Sequence, residues 1–192
     1  MSGARAIVLG ASAGGPDALN TWLRALPTPL AVPVVIVQHI HRDSPGTWPD
    51  LLRDRLGVQI KNAEDKEPLE AGTIYMAPPG YHLLVERDRS LSLCVDELVS
   101  YSRPSIDVLF RSAAEAYREG LLAIVFTGAN ADGAAGAAAV AARGGRVLVQ
   151  DPSTAHSSRM PEAALGAVPE ASPMTLAALA QAAAEFAARG SS

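Results

Sequence analysis

The segment from Ala6 to Gly15 runs from an apolar strand directly into a turn of small residues, and a helical pattern follows at once. A strand that turns straight into a helix is the building unit of α/β folds. Ser12 lies at the apex of the turn, and Gly10 to Gly14 match the G-x-S-x-G pattern around nucleophilic serines. Two other interpretations stay open at this point: glycines that only permit a tight turn, and a helix N-terminus that binds a phosphate.

Strand and helix patterns alternate along most of the chain. Strands are predicted at 5–9, 34–38, 58–62, 121–126 and 147–149, and helices at 16–26, 47–57, 105–118, 133–143, 160–165 and 174–188. Because the strands are continuously apolar, they indicate an α/β fold with a doubly wound, mostly parallel sheet and helices on both faces. Short strands at 73–77, 81–85 and 90–94, separated by turns, predict an antiparallel insertion.

Composition limits the classes of function. The 192 residues suit one domain with a single core, and we expect residues 1–192 to form it. A net charge of −4 without a Lys/Arg stripe argues against nucleic-acid binding. Cys94 is the single cysteine, which fits a reducing compartment. No apolar run is long enough to insert into a membrane, and no signal region precedes the first strand, so we expect a cytoplasmic protein.

Three polar residues directly follow apolar strands that we expect to be neighbours. Ser12 follows the first strand, His39 follows the strand at 34–38, and Asp132 lies in the loop after the strand at 121–126. Active-site groups of such sheets collect at the carboxyl ends of the strands. A nucleophile, a base and an orienting carboxylate are therefore predicted to meet there. Taken singly, His39 also fits a histidine at a strand end, and Asp132 also fits an ordinary helix N-cap.

Several segments, spread in order over nearly the whole chain, resemble the catalytic domain of the chemotaxis protein-glutamate methylesterases, the CheB family. They are Gly10–Gly15, Val37–His39, Tyr75–Pro78, Arg103–Phe110, Thr127–Gly128, Ala131–Gly136 and Met160–Pro161. The resemblance implies a doubly wound parallel sheet with an antiparallel hairpin. It also implies a serine hydrolase that demethylates glutamate methyl esters on the cytoplasmic helices of chemoreceptors, and that deamidates receptor glutamines in many members.

The resemblance further implies roles for single residues. Ser12, His39 and Asp132 match the family's triad, and no cofactor or metal is expected. Backbone N–H groups near Ser12, including that of Ala13, and in the loop of Gly128 and Ala129 are the expected oxyanion donors. Arg103 and Ser105 match a segment near the cleft. A contact with the substrate is expected for Arg103, and Ser105 is predicted either to share it or to cap the following helix.

The chain departs from the family pattern at three positions. Threonine commonly follows the nucleophile, where this chain has Ala13, and methionine and glycine commonly occupy the aspartate loop, where it has Ala129 and Asn130. These changes motivate an alternative from another class: a catalytically weakened module of the same fold that binds a receptor or kinase. A nucleotide-binding domain is a second alternative, but the chain has neither a G-x-G-x-x-G motif nor a P-loop lysine.

Regulation is a further departure. Typical family members carry an N-terminal receiver domain that blocks the active site until it is phosphorylated. In this sequence the first strand of the catalytic pattern begins within a few residues of Met1. We therefore expect no receiver domain in the sequence. The chain is either a naturally separate effector, with a separate receiver protein as a candidate regulator, or a piece of a longer protein. Without a covering domain, activity is expected to need no phosphodonor.

Overall fold

The computed structural model describes residues 4–27 and 30–189. Nine strands are assigned within these ranges: β1 (Ala6–Ala11), β2 (Val34–Gln38), β3 (Ile60–Asn62), β4 (Ile74–Met76), β5 (His82–Val85), β6 (Leu91–Cys94), β7 (Leu121–Val125), β8 (Arg146–Gln150) and β9 (Pro173–Met174). The six α-helices of the same ranges are α1 (Gly15–Ala25), α2 (Trp48–Leu56), α3 (Ile106–Tyr117), α4 (Ala134–Ala142), α5 (Arg159–Ala167) and α6 (Leu176–Ala188).

Seven of the strands form one sheet in the order β3-β4-β2-β1-β7-β8-β9, and every neighbouring pair is parallel. The chain builds outward from β1 in both directions, first through β2 and later through β7. This arrangement confirms the predicted doubly wound α/β fold. The point where the strand order reverses lies beside β1, which is where ligands bind in such sheets.

The antiparallel insertion is smaller than predicted. Only β5 and β6 form the antiparallel hairpin, with His82 opposite Cys94. The expectation that the strand at 73–77 belongs to the insertion is wrong, because β4 pairs in parallel with both β2 and β3. Its three residues are too few for their pattern to distinguish a buried sheet strand from a hairpin strand.

The sheet is covered on both faces, because the side chains of each strand alternate between two apolar clusters. In β1, Ile7 and Leu9 pack into the cluster that includes α1 and α6, and Val8 packs into the cluster that includes α3. All three side chains are fully buried. The two clusters therefore hold β1 between them, and its carboxyl end is a fixed support for the residues that follow.

No helix in the described part of the chain is long and apolar enough to cross a membrane.

Candidate active site

Ser12 lies immediately after β1, in the turn that leads into α1. Its N–H donates to the carbonyl oxygen of Thr127 at 2.9 Å, which ties the turn to the loop after β7. Gly14 has a φ of 78°, a left-handed conformation in which a side chain would be strained, and it is the N-cap of α1. The turn therefore holds Ser12 between a strand end and a helix N-terminus, as the sequence pattern predicts.

His39 follows β2 and bridges the other two predicted residues. Its Nδ1 lies 3.1 Å from Ser12 Oγ, and its Nε2 lies 2.8 Å from Asp132 Oδ2. The side chain of His39 is only 12% exposed, and that of Asp132 is fully buried. Because a carboxylate accepts hydrogen bonds, Asp132 selects the tautomer with a proton on Nε2. The lone pair of Nδ1 then faces the Ser12 hydroxyl. The structure brings all three residues together.

The Asp132 carboxylate accepts four hydrogen bonds. Oδ2 accepts from His39 and from Ile106 N–H at 2.7 Å, and Oδ1 accepts from Asp107 N–H at 3.0 Å and from Ser105 Oγ–H at 2.9 Å. Burial acts to raise the pKa of Asp132, but the hydrogen bonds from His39 and from the two backbone N–H groups outweigh it, so the pKa lies below its usual value. Asp132 is therefore a carboxylate held in one orientation.

The backbone N–H groups expected to form an oxyanion hole differ in whether they already donate a hydrogen bond within the protein. The N–H of Gly128 donates to the carbonyl oxygen of Ser157 at 3.1 Å, so the expectation that it is an oxyanion donor does not fit the structure. Within residues 4–27 and 30–189, the N–H groups of Ala13 and Ala129 have no hydrogen-bond acceptor. Of the three named candidates, the N–H groups of Ala13 and Ala129 therefore remain predicted oxyanion donors.

Arg103 holds the backbone of the segment that follows β6. Its Nη1 donates to the carbonyl oxygens of Val95 and Asp96 at 2.8 and 2.7 Å, which fixes the loop after the hairpin. Nη1 is thus engaged within the protein, and the contact between Arg103 and a substrate stays a prediction. Asn130 is also engaged locally, since its Oδ1 accepts the N–H of Asp132 at 3.1 Å.

Ser105 has neither of the two roles that its motif suggested. It is the N-cap residue of α3, but its side chain makes no capping hydrogen bond to that helix. The hydroxyl instead donates to Asp132, and the Ser105 N–H donates to His82 Nδ1 at 3.2 Å. His82 is fully buried, and its Nε2–H donates to the carbonyl oxygen of Glu97. Ser105 thus connects the hairpin to the site.

Two further polar residues hold the strand ends together, and sequence reasoning gave them no role. Gln38 donates through Nε2 to the carbonyl oxygens of Ser12 and His39, each at 3.0 Å. Thr127 donates through Oγ1 to the carbonyl oxygen of Ala13 at 2.8 Å. Both follow or end apolar strands, and both lie in segments that carry the family resemblance, which are the signals in the sequence that point to them.

Among the residues that the structure describes, no group of three or more His, Cys, Asp or Glu side chains is arranged to hold a metal ion. His41 is exposed beside Asp43, with Nδ1 at 3.4 Å from the carboxylate. His156 is also exposed and lies over Gly14, where an added Cβ would be 2.3 Å from its own Cβ.

A Ser-His-Asp hydrogen-bonded series at the carboxyl edge of a doubly wound parallel sheet defines a protein of the α/β class with the site architecture of serine hydrolases. The profile of the CheB methylesterase family matches residues 7–183, and the chain belongs to this family. The resemblance seen in the sequence is thus confirmed.

Individual relatives agree with the family assignment. A relative from Leptospira interrogans is 48% identical over 162 residues, which are 84% of this chain and 84% of the relative. A Nocardioides protein named protein-glutamate methylesterase/protein-glutamine glutaminase is 41% identical, but the match covers only 45% of its length. The crystal structure of the Thermotoga maritima CheB methylesterase catalytic domain superposes with a TM-score of 0.88 at 27% identity, over 95% of this chain and 98% of that one.

Proposed function

We propose that this protein is a serine hydrolase that demethylates glutamate methyl esters on chemoreceptors, with Ser12 as nucleophile, His39 as base and Asp132 as orienting carboxylate. One observation carries the proposal: a single imidazole lies within hydrogen-bond distance of both the Ser12 hydroxyl and the buried Asp132 carboxylate. A serine becomes nucleophilic when an adjacent base is held by a third group.

The first half of the reaction uses the tautomer that Asp132 selects. His39 Nδ1 takes the proton from Ser12 Oγ as Oγ attacks the ester carbonyl carbon. The resulting imidazolium lies against the Asp132 carboxylate, whose low pKa keeps it ionised. His39 then gives the proton to the methoxy oxygen, methanol leaves, and the glutamyl group stays on Ser12 as an ester.

The second half repeats these steps with water. His39 takes a proton from water as its oxygen attacks the acyl-enzyme carbonyl, and then returns the proton to Ser12 Oγ. The glutamate carboxylate is released and the enzyme is regenerated. The N–H groups of Ala13 and Ala129 stabilise the oxyanion in both halves, and the N-terminus of α1 adds a partial positive charge.

The substrate class rests on the family and on the names of relatives. Relatives are named for two activities, methylesterase on protein glutamate and glutaminase on protein glutamine. Both reactions attack a side-chain carbonyl and expel a small leaving group, so one triad serves both. The methylated cytoplasmic helices of chemoreceptors are the partner that we propose.

The direct test is methanol release from methylated receptor fragments by the purified chain. We expect turnover that depends on the ester, because the triad residues already lie within hydrogen-bond distance of one another without a partner. Unmethylated fragments serve as the control. A folded protein without methanol release under any condition would refute the proposed activity and favour a binding module of the same fold.

The same assay tests regulation by a receiver. We propose that the chain is active without a phosphodonor, and methanol release is measured alone, with acetyl phosphate, and with separate receiver proteins. Similar rates in all three arms are the expected result. Activity only in the presence of a phosphorylated receiver would contradict constitutive activity and identify a split regulatory pair.

A further inference from the structure

Two buried aspartates join the N-termini of α3 and α4. Asp132 lies just before α4, yet its carboxylate accepts the N–H groups of Ile106 and Asp107 in the first turn of α3. Asp107, in α3, does the reverse. Its Oδ1 accepts the N–H of Gly133 at 3.0 Å and the N–H of Gly136 at 2.6 Å, at the start of α4. Asp132 therefore accepts N–H groups at the start of α3, and Asp107 accepts N–H groups at the start of α4. These N–H groups have no acceptor within their own helix.

The two helices are also in close contact at Gly136. A Cβ added at Gly136 would lie 2.6 Å from the Cβ of Phe110 and 3.1 Å from the Cα of Asp107. Such contacts leave no room for a side chain, so the start of α4 rests directly on α3. Asp107 is 6% exposed, and its carboxylate lies inside this contact. Without its hydrogen bonds to Gly133 and Gly136, the backbone directly after Asp132 would no longer be held against α3.

We propose that Asp107 is a positioning residue for the reaction put forward above: its Oδ1 holds the N–H groups of Gly133 and Gly136 and thereby fixes the Asp132 carboxylate that orients His39. Asp107 itself does not touch the reacting atoms. This inference rests on the proposed function. It assigns to Asp107 the role of a hydrogen-bond acceptor, for which a negative charge is not required.

The electrostatic surroundings agree with an acceptor role. Burial raises the pKa of Asp107, the N–H of Gly136 opposes that rise, and the negative charge of Asp132 adds to it, while Arg111 acts in the opposite direction. A charge at this position is thus disfavoured by burial and by Asp132. An amide keeps the acceptor oxygen and removes the repulsion between the two carboxylates.

Three variants separate positioning from stability. Asp107→Ala removes the acceptor, Asp107→Asn keeps it, and Thr175→Ala removes a remote N-cap whose Oγ1 accepts the N–H of Ala178 at 3.3 Å. We expect Asp107→Ala to lower kcat for methanol release roughly 10- to 100-fold with little change in KM, since a misplacement of about 1 Å can cost on the order of 100-fold. Asp107→Asn should stay within about threefold of the wild type, and Thr175→Ala should lose stability without loss of kcat.

A spectroscopic readout tests the geometry without any substrate. The proton between His39 Nε2 and Asp132 is expected at low field in the proton NMR spectrum, as is usual for a strong hydrogen bond to a carboxylate. The resonance should shift or broaden in Asp107→Ala and persist in Asp107→Asn and Thr175→Ala. A wild type with this resonance but without methanol release would refute the proposed activity alone, so the two failures are distinguishable.

Two results would overturn the positioning role. One is a folded Asp107→Ala protein with wild-type kcat and an unchanged resonance, even if its melting temperature is lower. The other is a loss of kcat of about tenfold or more in Asp107→Asn, because that variant keeps the acceptor. The second criterion still applies if Asp107→Ala does not fold.

Discussion

Replacing Ser12 with alanine is expected to lower methanol release roughly 10⁴- to 10⁶-fold, because the triad acts as a unit and fails when its nucleophile is removed. The substitution deletes a half-buried hydroxyl that hydrogen-bonds to His39. The fold should therefore be preserved. The measurement is the rate of methanol release from methylated receptor fragments, with the melting temperature taken for the same sample.

Ser90→Ala is a matched control for this experiment. Ser90 lies in the hairpin turn, where its hydroxyl donates to Asp88. The same chemical change there should leave the rate within about twofold of the wild type, since surface substitutions away from the site have small effects. A loss of only a few-fold in Ser12→Ala would mean that another group performs the attack.

The second large effect is expected for Asp132→Asn, with a fall in kcat of roughly 10⁴-fold. The Asp132 carboxylate is the acceptor in all four of its hydrogen bonds, two at each oxygen, whereas an amide has only one acceptor oxygen. In either orientation its NH2 group faces a backbone N–H of α3. The charge that stabilises the His39 imidazolium is lost in both cases.

Asp151→Asn gives the corresponding control at the same edge of the sheet. Asp151 follows β8, and its carboxylate accepts from the N–H and the hydroxyl of Ser153. We expect a rate within about twofold of the wild type for this variant. Steady-state methanol release with both proteins tests the pair. Equal, small losses in the two variants would contradict an orienting role for Asp132.

Much of the fold can be predicted from the sequence because its strands are long and apolar. β1, β2 and β7 are continuous buried runs, and their order along the chain sets the parallel sheet. Shorter elements are less informative. The pattern of the three residues of β4 indicates the wrong sheet, and the two residues of β9 carry no strand pattern. Their pairing depends on distant partners rather than on a local pattern.

The features of the site also differ in how well the sequence predicts them. Ser12 and His39 are predictable because each directly follows a buried strand whose position in the sheet is predictable. The role of Asp132 in capping α3 is not, because the helix next to it in sequence is α4, and the capped N–H groups are 26 and 25 residues away. The hydrogen bond from the Gly128 N–H to the Ser157 carbonyl oxygen also joins residues that are far apart in the sequence. Such contacts follow from tertiary packing, which local sequence does not encode.

The central claim is that Ser12 is an activated nucleophile, and a fluorophosphonate probe tests it most directly because it reacts with activated serines. The wild-type protein is incubated with the probe, and the modified residue is located by peptide mass spectrometry. We expect a single adduct on Ser12, formed at a rate that falls sharply in Asp132→Asn. A folded protein that takes no label, or that carries it on another serine, would contradict the claim.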